Sequence, residues 1–365
     1  MFSVLLSVNI SVGRSSHANT IFLPNEGMIN YETDKPWWGL CVMDLAFGNG
    51  SFFCDDHIDM VADAGGDYLR VLVDPSPWRA NVPVRSTNTE YAGMAFRDYM
   101  KALVDYAESR GVYIMYDISI YGSERVIAIL NNEPNDRGMT RQDWIDLGRE
   151  IIQYCDPHAV NICDEPARGE YVADWDAPTS GKITSVEWRE FLVECIEDWR
   201  AIASDVTIGV MGVSMHFLNM FYKYDTVISP GGVDIRIKGD GPLPYDDIVY
   251  ILNRPPYGSS DGYDYVRDYC DAKVGPLADY QEFKDQNQAI LFTTGFAEDY
   301  NVGDYPSSWL TYATAFWDYN REKGYWCISY TIPASRKWSL LDSSKFAWND
   351  MGQAWANYTT QYIES

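Results

Sequence analysis

The chain is of the α/β class, and its order predicts one (β/α)8 (TIM) barrel with an extra N-terminal β-strand. Two observations carry this. Eight short apolar runs recur along the 365 residues, and amphipathic stretches alternate with them. Strands that are apolar throughout, each followed by a helix, belong to a parallel sheet covered on both faces, and eight such units close on themselves. A doubly wound open sheet is the alternative, but no glycine-rich phosphate loop follows the first strand.

The strands are read at WGLCVM (38–43), YLRVLV (68–73), VYIMYDI (112–118), AVNIC (159–163), VTIGVMG (206–212), DIVYIL (247–252), AILFTT (289–294) and YWCISY (325–330). Helical patterns lie at FRDYMKALVDYAESRG, TRQDWIDLGREIIQY, SVEWREFLVECIEDWRAI and SSWLTYATAFWDYNREKG, with Ser185 and Ser307 or Ser308 as N-caps. Residues 1–30 read as a separate extension, and 31–365 as the barrel domain. Within that extension Phe2, Val4, Leu6, Val8, Ile10 and Val12 alternate with polar residues, the period of a half-buried strand. The run resembles a signal-peptide core but has no basic segment before it. A closed barrel has no free edge for such a strand, so it is expected to pair with a hairpin or with another subunit, giving a homo-oligomer.

Composition excludes several functions. A formal net charge of −25 argues against nucleic acid and anionic membrane surfaces, and favours a neutral or cationic partner. No apolar run is long enough to span a bilayer. Seven cysteines without a C-x-x-C pair, and only four histidines, argue against a metal site, and no cofactor motif is present. The redox compartment stays open. The 13 Trp and 27 Tyr suit either carbohydrate, whose apolar faces stack on such rings, or large interfaces.

In a parallel barrel the chemistry collects where strands end. Those ends carry Asp44, Arg70, Asp117 and Ser119, Asp164 and Glu165, His216, Asn253, the run from Gly295 to Glu298, and Trp326. Glu165 reads either as a turn-capping carboxylate paired with Arg168 or Arg70, or as a general acid held partly out of water.

Taken in order, AGGDYLRVLV, AESRGVYIMYDIS, VNICDEP, DIVYILNRPPYG and YWCISYTIP with WSLLD resemble glycoside hydrolase family 5, the cellulase and mannanase type. The resemblance implies an acid/base at Glu165, an arginine steadying the nucleophile at Arg70, a sugar-stacking ring at Trp326, and substrate contacts from Asp164, Asn253 and Tyr257. It also implies a β-linked polysaccharide or oligosaccharide partner. Separately, the acidic surface suits a saline or extracellular setting, and an inactive barrel would suit an extracellular assembly such as a surface layer, filament or virion. Departures accompany the resemblance. Asp164 stands where the family has Asn, Ser119 and Asn253 replace histidines, and Gly295 occupies the nucleophile position. Three accounts stay open: Glu298, Asp44, Asp117 or a water replaces the nucleophile; the chain is an inactive sugar-binding or structural component of an assembly; or Gly295 is a deliberate replacement of glutamate.

Overall fold

The computed structural model describes residues 29–30, 35–119, 123–166, 182–213, 218–223, 227–228, 235–236, 239–253, 263–294, 307–332, 340–341 and 347–364. Eight parallel strands close in sequence order: β1 (Trp38–Val42), β2 (Tyr68–Val73), β3 (Tyr113–Ser119), β4 (Ala159–Asp164), β5 (Thr207–Met211), β6 (Ile248–Asn253), β7 (Ala289–Thr294) and β8 (Trp326–Ile332). The (β/α)8 barrel expected from the apolar runs is therefore the fold. Each strand falls within two residues of its sequence reading.

The mantle is built by α1 (Asp55–Asp63), α2 (Phe96–Ser109), α3 (Arg141–Cys155), α4 (Ser185–Arg200), α5 (Tyr263–Val274), α6 (Ser307–Lys323) and α7 (Asp350–Glu364). Between β5 and β6 the described residues form no α-helix. A short turn at Asn219–Phe221 covers the barrel there, burying Leu218, Met220, Phe221 and Tyr222. The cap of α4 is Thr184 rather than Ser185: its hydroxyl accepts from the Glu187 amide at 3.1 Å, while Glu187 accepts from the Thr184 amide at 3.0 Å. This reciprocal pair satisfies two orphan amides at once, which a cap one residue later would not. Gly148 on α3 is required by packing. A Cβ there would sit 1.9 Å from the Trp199 ring of α4.

Side-chain parity sorts the core into two shells. Leu69, Val71 and Val73 of β2 face the helices, while Tyr68, Arg70 and Leu72 point inward. Among the described residues nine tryptophans, including Trp144, Trp188, Trp199 and Trp317, are less than 2% exposed. The aromatic surplus therefore fills the core first. Residues 2–12, the expected extra strand, lie outside the described residues; Ile29–Asn30 pairs antiparallel with Lys35–Pro36 ahead of the barrel. No described helix is long and apolar enough to cross a membrane.

Candidate active site at the carboxyl ends of the strands

Arg70 is the inward residue at the middle of β2 and is fully buried. A guanidinium so placed is tolerated only if its donors are met by charge and hydrogen bonds. They are. Nε donates to Asp117 Oδ2 at 2.6 Å, one terminal nitrogen to Thr293 Oγ1 at 2.6 Å and to Asn253 Oδ1, and the other to Asp164 Oδ1 at 2.8 Å. The last nitrogen also pairs with Asp117. Four other strands, β3, β4, β6 and β7, are thereby tied to β2 across the barrel axis.

Asp164 reaches this position through a bulge. Asp117 lies opposite Asn161 and Ser119 opposite Asp164, so two steps on β3 match three on β4. Ile162 and Cys163 both pack in the outer shell, although successive strand residues ordinarily alternate. The extra residue restores an inward direction to Asp164. Asn161, inward below the bulge, donates to Asp117 Oδ1 at 2.6 Å.

Glu165 follows at φ 45, the left-handed region that a non-glycine residue enters at a cost of about 1–3 kcal/mol. It is only 5% exposed. Its backbone amide meets Met211 Sδ at 3.4 Å. Asn253 closes the arrangement: one amide nitrogen donates to Asp164 Oδ1 at 2.8 Å and to Glu165 Oε1 at 3.2 Å. Arginine, aspartate, asparagine and glutamate thus form one connected network ending at the mouth.

Burial dominates the electrostatics. It pushes the Asp117 carboxyl up to about 7 against the pull of Arg70, and the Asp164 charge adds to the rise. The Cys41 thiol, opposite Arg70 in the ladder, is driven well above its ordinary range by burial although Arg70 opposes this. Cys163 is raised in the same way. Neither thiol supplies a nucleophile at neutral pH.

Arg70, Asp164, Glu165 and Asn253, all singled out in the sequence, are brought together. Trp326 is not with them. It opens β8 at the amino-terminal end, fully buried, its ring 5.2 Å from Tyr68 and 6.1 Å from Trp37. The expectation that it stacks under a sugar is corrected: it belongs to the barrel floor, with His158 and Tyr113 nearby. Asp44 is also corrected as a replacement nucleophile. Its Oδ2 accepts the amides of Ser51, Phe52 and Phe53 at 2.7, 3.1 and 3.1 Å, so it organises the loop after β1. Tyr257, His216, Gly295 and Glu298 lie outside the described residues.

Thr293 and Asn161 escaped the sequence reading. Both sit at inward positions of apolar strands, and that parity is the signal that could have found them. Close to this network, two of the buried side-chain atoms without a hydrogen-bond partner are Ser119 Oγ and Asn161 Oδ1. Among the described residues no cluster of three or more His, Cys, Asp or Glu is placed to hold a metal ion.

No protein-family model and no curated protein matches the sequence. Solved structures do match in fold. A β-glucanase from Saccharophagus degradans in complex with cellotetraose superposes with a TM-score of 0.64 at 14% identity, covering 93% of this chain and 92% of its own. The endocellulase of Pyrococcus horikoshii gives 0.64 at 12%, covering 93% and 97%. Endoglucanase Cel5A of Thermotoga maritima, in complex with mannotriose, gives 0.58 at 13%, covering 88% and 96%. The chain shares the barrel of these glycanases over nearly its whole length, as the sequence resemblance implied.

Proposed function

We propose that this chain recognises a β-linked glycan at the carboxyl-end mouth of the barrel and that Glu165 is the proton-transferring group there. The observation that carries the reading is the bridge from Asn253 to both Asp164 and Glu165, standing on Arg70. It holds one carboxyl group, 5% exposed, at the mouth while the neighbouring carboxylate is committed to the guanidinium. Such a group can protonate the leaving oxygen as the glycosidic bond breaks. The fold shared with a β-glucanase crystallised with cellotetraose and with Cel5A crystallised with mannotriose supports the substrate class.

Attack on the anomeric carbon needs a second group. A retaining reaction requires a carboxylate about 5 Å from the first, on the other side of the sugar. Among the described residues the remaining carboxylates of the network, Asp117 and Asp164, are both held by Arg70. We therefore assign the attack, where hydrolysis occurs, to water or to Glu298. A second reading, a sugar-binding barrel without turnover, is favoured by the same occupancy: Asp117, Asp164, Asn253 and Thr293 already meet the guanidinium.

The deciding experiment is a panel of soluble β-glucans, mannans and chitin fragments, scored for binding and for cleavage. Cleavage that Glu165→Gln abolishes while binding persists supports the catalytic reading. Binding with no cleavage selects the second. Absence of binding to every β-glycan would sink both.

A further inference from the structure

We infer that Met211 is a positioning residue for Glu165: its thioether holds the turn that presents the carboxyl group at the mouth. This rests on the proton-transfer reading of Glu165 and deepens it. Met211 is the last residue of β5, fully buried and inward, in the inner shell with Cys41, Leu72 and Ile251. Its backbone is anchored from outside, where the carbonyl accepts from Trp188 Nε1 of α4 at 2.8 Å. Its sulphur accepts the Glu165 amide at 3.4 Å. The register between β4 and β5 runs from Ala159 opposite Thr207 to Asn161 opposite Gly209, below the bulge. Above the bulge a side chain takes an amide that a regular strand would give to its neighbour's carbonyl, so the seat of Glu165 depends on the identity of Met211.

The chemistry of sulphur suits this place. The Arg70 nitrogen that binds Asp164 also lies 3.9 Å from Met211 Sδ, so one acceptor stands between an amide and a guanidinium. A carboxylate there would compete with Asp164 for Arg70 and bury a further charge. Leucine would fill the volume but leave a buried amide facing methyl groups, where an N–H without an acceptor is destabilising. Methionine avoids both, because a thioether is apolar enough for the core and still a weak acceptor. Glu165 stands at φ 45, a conformation that persists only where the surroundings impose it. Removing the sulphur therefore lets the turn relax, and the carboxyl group moves with it. A displacement of about 1 Å can slow a positioned reaction about a hundredfold.

Met211→Leu tests this on two kinds of substrate. One is the β-1,4-linked tetramers of glucose, mannose and N-acetylglucosamine, whose leaving oxygen needs a proton; the other is the dinitrophenyl β-glycosides of the corresponding disaccharides, whose leaving group does not. In the variant kcat/KM for whichever tetramer is cleaved should fall at least about tenfold, and for the matching dinitrophenyl glycoside by less than about twofold. A merely structural role would lower both alike. Amide hydrogen exchange at Glu165 should be several-fold faster in the variant. Met220→Leu is the control: Met220 Sδ accepts the Val213 amide at 3.3 Å, so the same kind of bond is lost elsewhere, and the ratio of the two rates should stay intact. Norleucine incorporation exchanges sulphur for methylene at nearly constant shape and gives the same comparison if the leucine chain does not fold. Equal losses on both substrates, an unchanged tetramer rate in a variant of native circular dichroism, or unaltered exchange at Glu165 overturns the inference alone. If the unaltered chain cleaves none of the tetramers, the proton-transfer reading falls and the positioning role with it.

Discussion

Asp117→Asn isolates the energetic consequence of burying two carboxylates on one guanidinium. Burial raises the Asp117 carboxyl from 3.8 to about 7, while in the unfolded chain it titrates near its ordinary value of about 3.9. Between those values the folded protein holds a proton that the unfolded chain has released. Raising the pH therefore favours unfolding, by about 1.4 kcal/mol per unit, and the effect saturates above the folded value. From about pH 5 to about pH 7 the wild type should lose about 2 kcal/mol through this one group, the slope halving as the folded value is reached. Asparagine has the same shape and does not titrate. Its new amide can be met, because Asn161 Oδ1 has no partner and Asn161 need only turn its amide over. Urea unfolding of both proteins from about pH 5 to about pH 8 should show the stability difference moving in favour of the variant as pH rises, then levelling. Parallel curves would refute the argument. A difference that moved the other way would mean that Arg70, not burial, decides the protonation of Asp117.

Replacing Arg70 by Met should be far more damaging, about 3–5 kcal/mol, and part of the loss should return on acidification, since Asp117 and Asp164 can then be neutral; urea titration at two pH values reads both. Trp326→Ala should cost about 3–5 kcal/mol yet leave the affinity of the folded fraction for a β-glycan unchanged, as expected of a floor residue. Gly148→Ala should disturb the seat of Trp199 and lower the urea midpoint without touching the mouth. A chain lacking residues 2–12 should sediment differently from the full chain if that segment pairs with another subunit, and identical sedimentation would count against the pairing.

The strands were legible because each is buried on both faces and so reads as an unbroken apolar run; their succession also gave the closure and order of the barrel. Depth was not legible. Trp326 lies in a strand that the sequence places correctly, but a two-residue period states which face a side chain takes and not how far along the axis it stands. Its position at the first residue of β8 decides its role. Thr293 went unnoticed because threonine is an ordinary strand residue, and only the arrival of Arg70 from β2 makes its hydroxyl part of the site. The bulge in β4 left no trace for a related reason: Ile162 and Cys163 are both apolar, and a strand without alternation has no alternation to break.

That bulge explains why two carboxylates can stand side by side at the end of a buried strand. In a regular strand Asp164 would face the helices and Glu165 the axis, and one buried charge would be left without a partner. The extra residue turns Asp164 inward to Arg70, and the left-handed turn at Glu165 lifts the next carboxyl to the lip, within reach of the same asparagine. The backbone strain at Glu165, about 1–3 kcal/mol, is offset by satisfying an ion pair that would otherwise cost several times as much. The two acids are therefore unequal by construction. Asp164 is bound to the guanidinium and its geometry is fixed, so it sets charge and shape. Glu165 accepts from the neutral Asn253 amide at Oε1, which suits the proton-transferring role proposed for it.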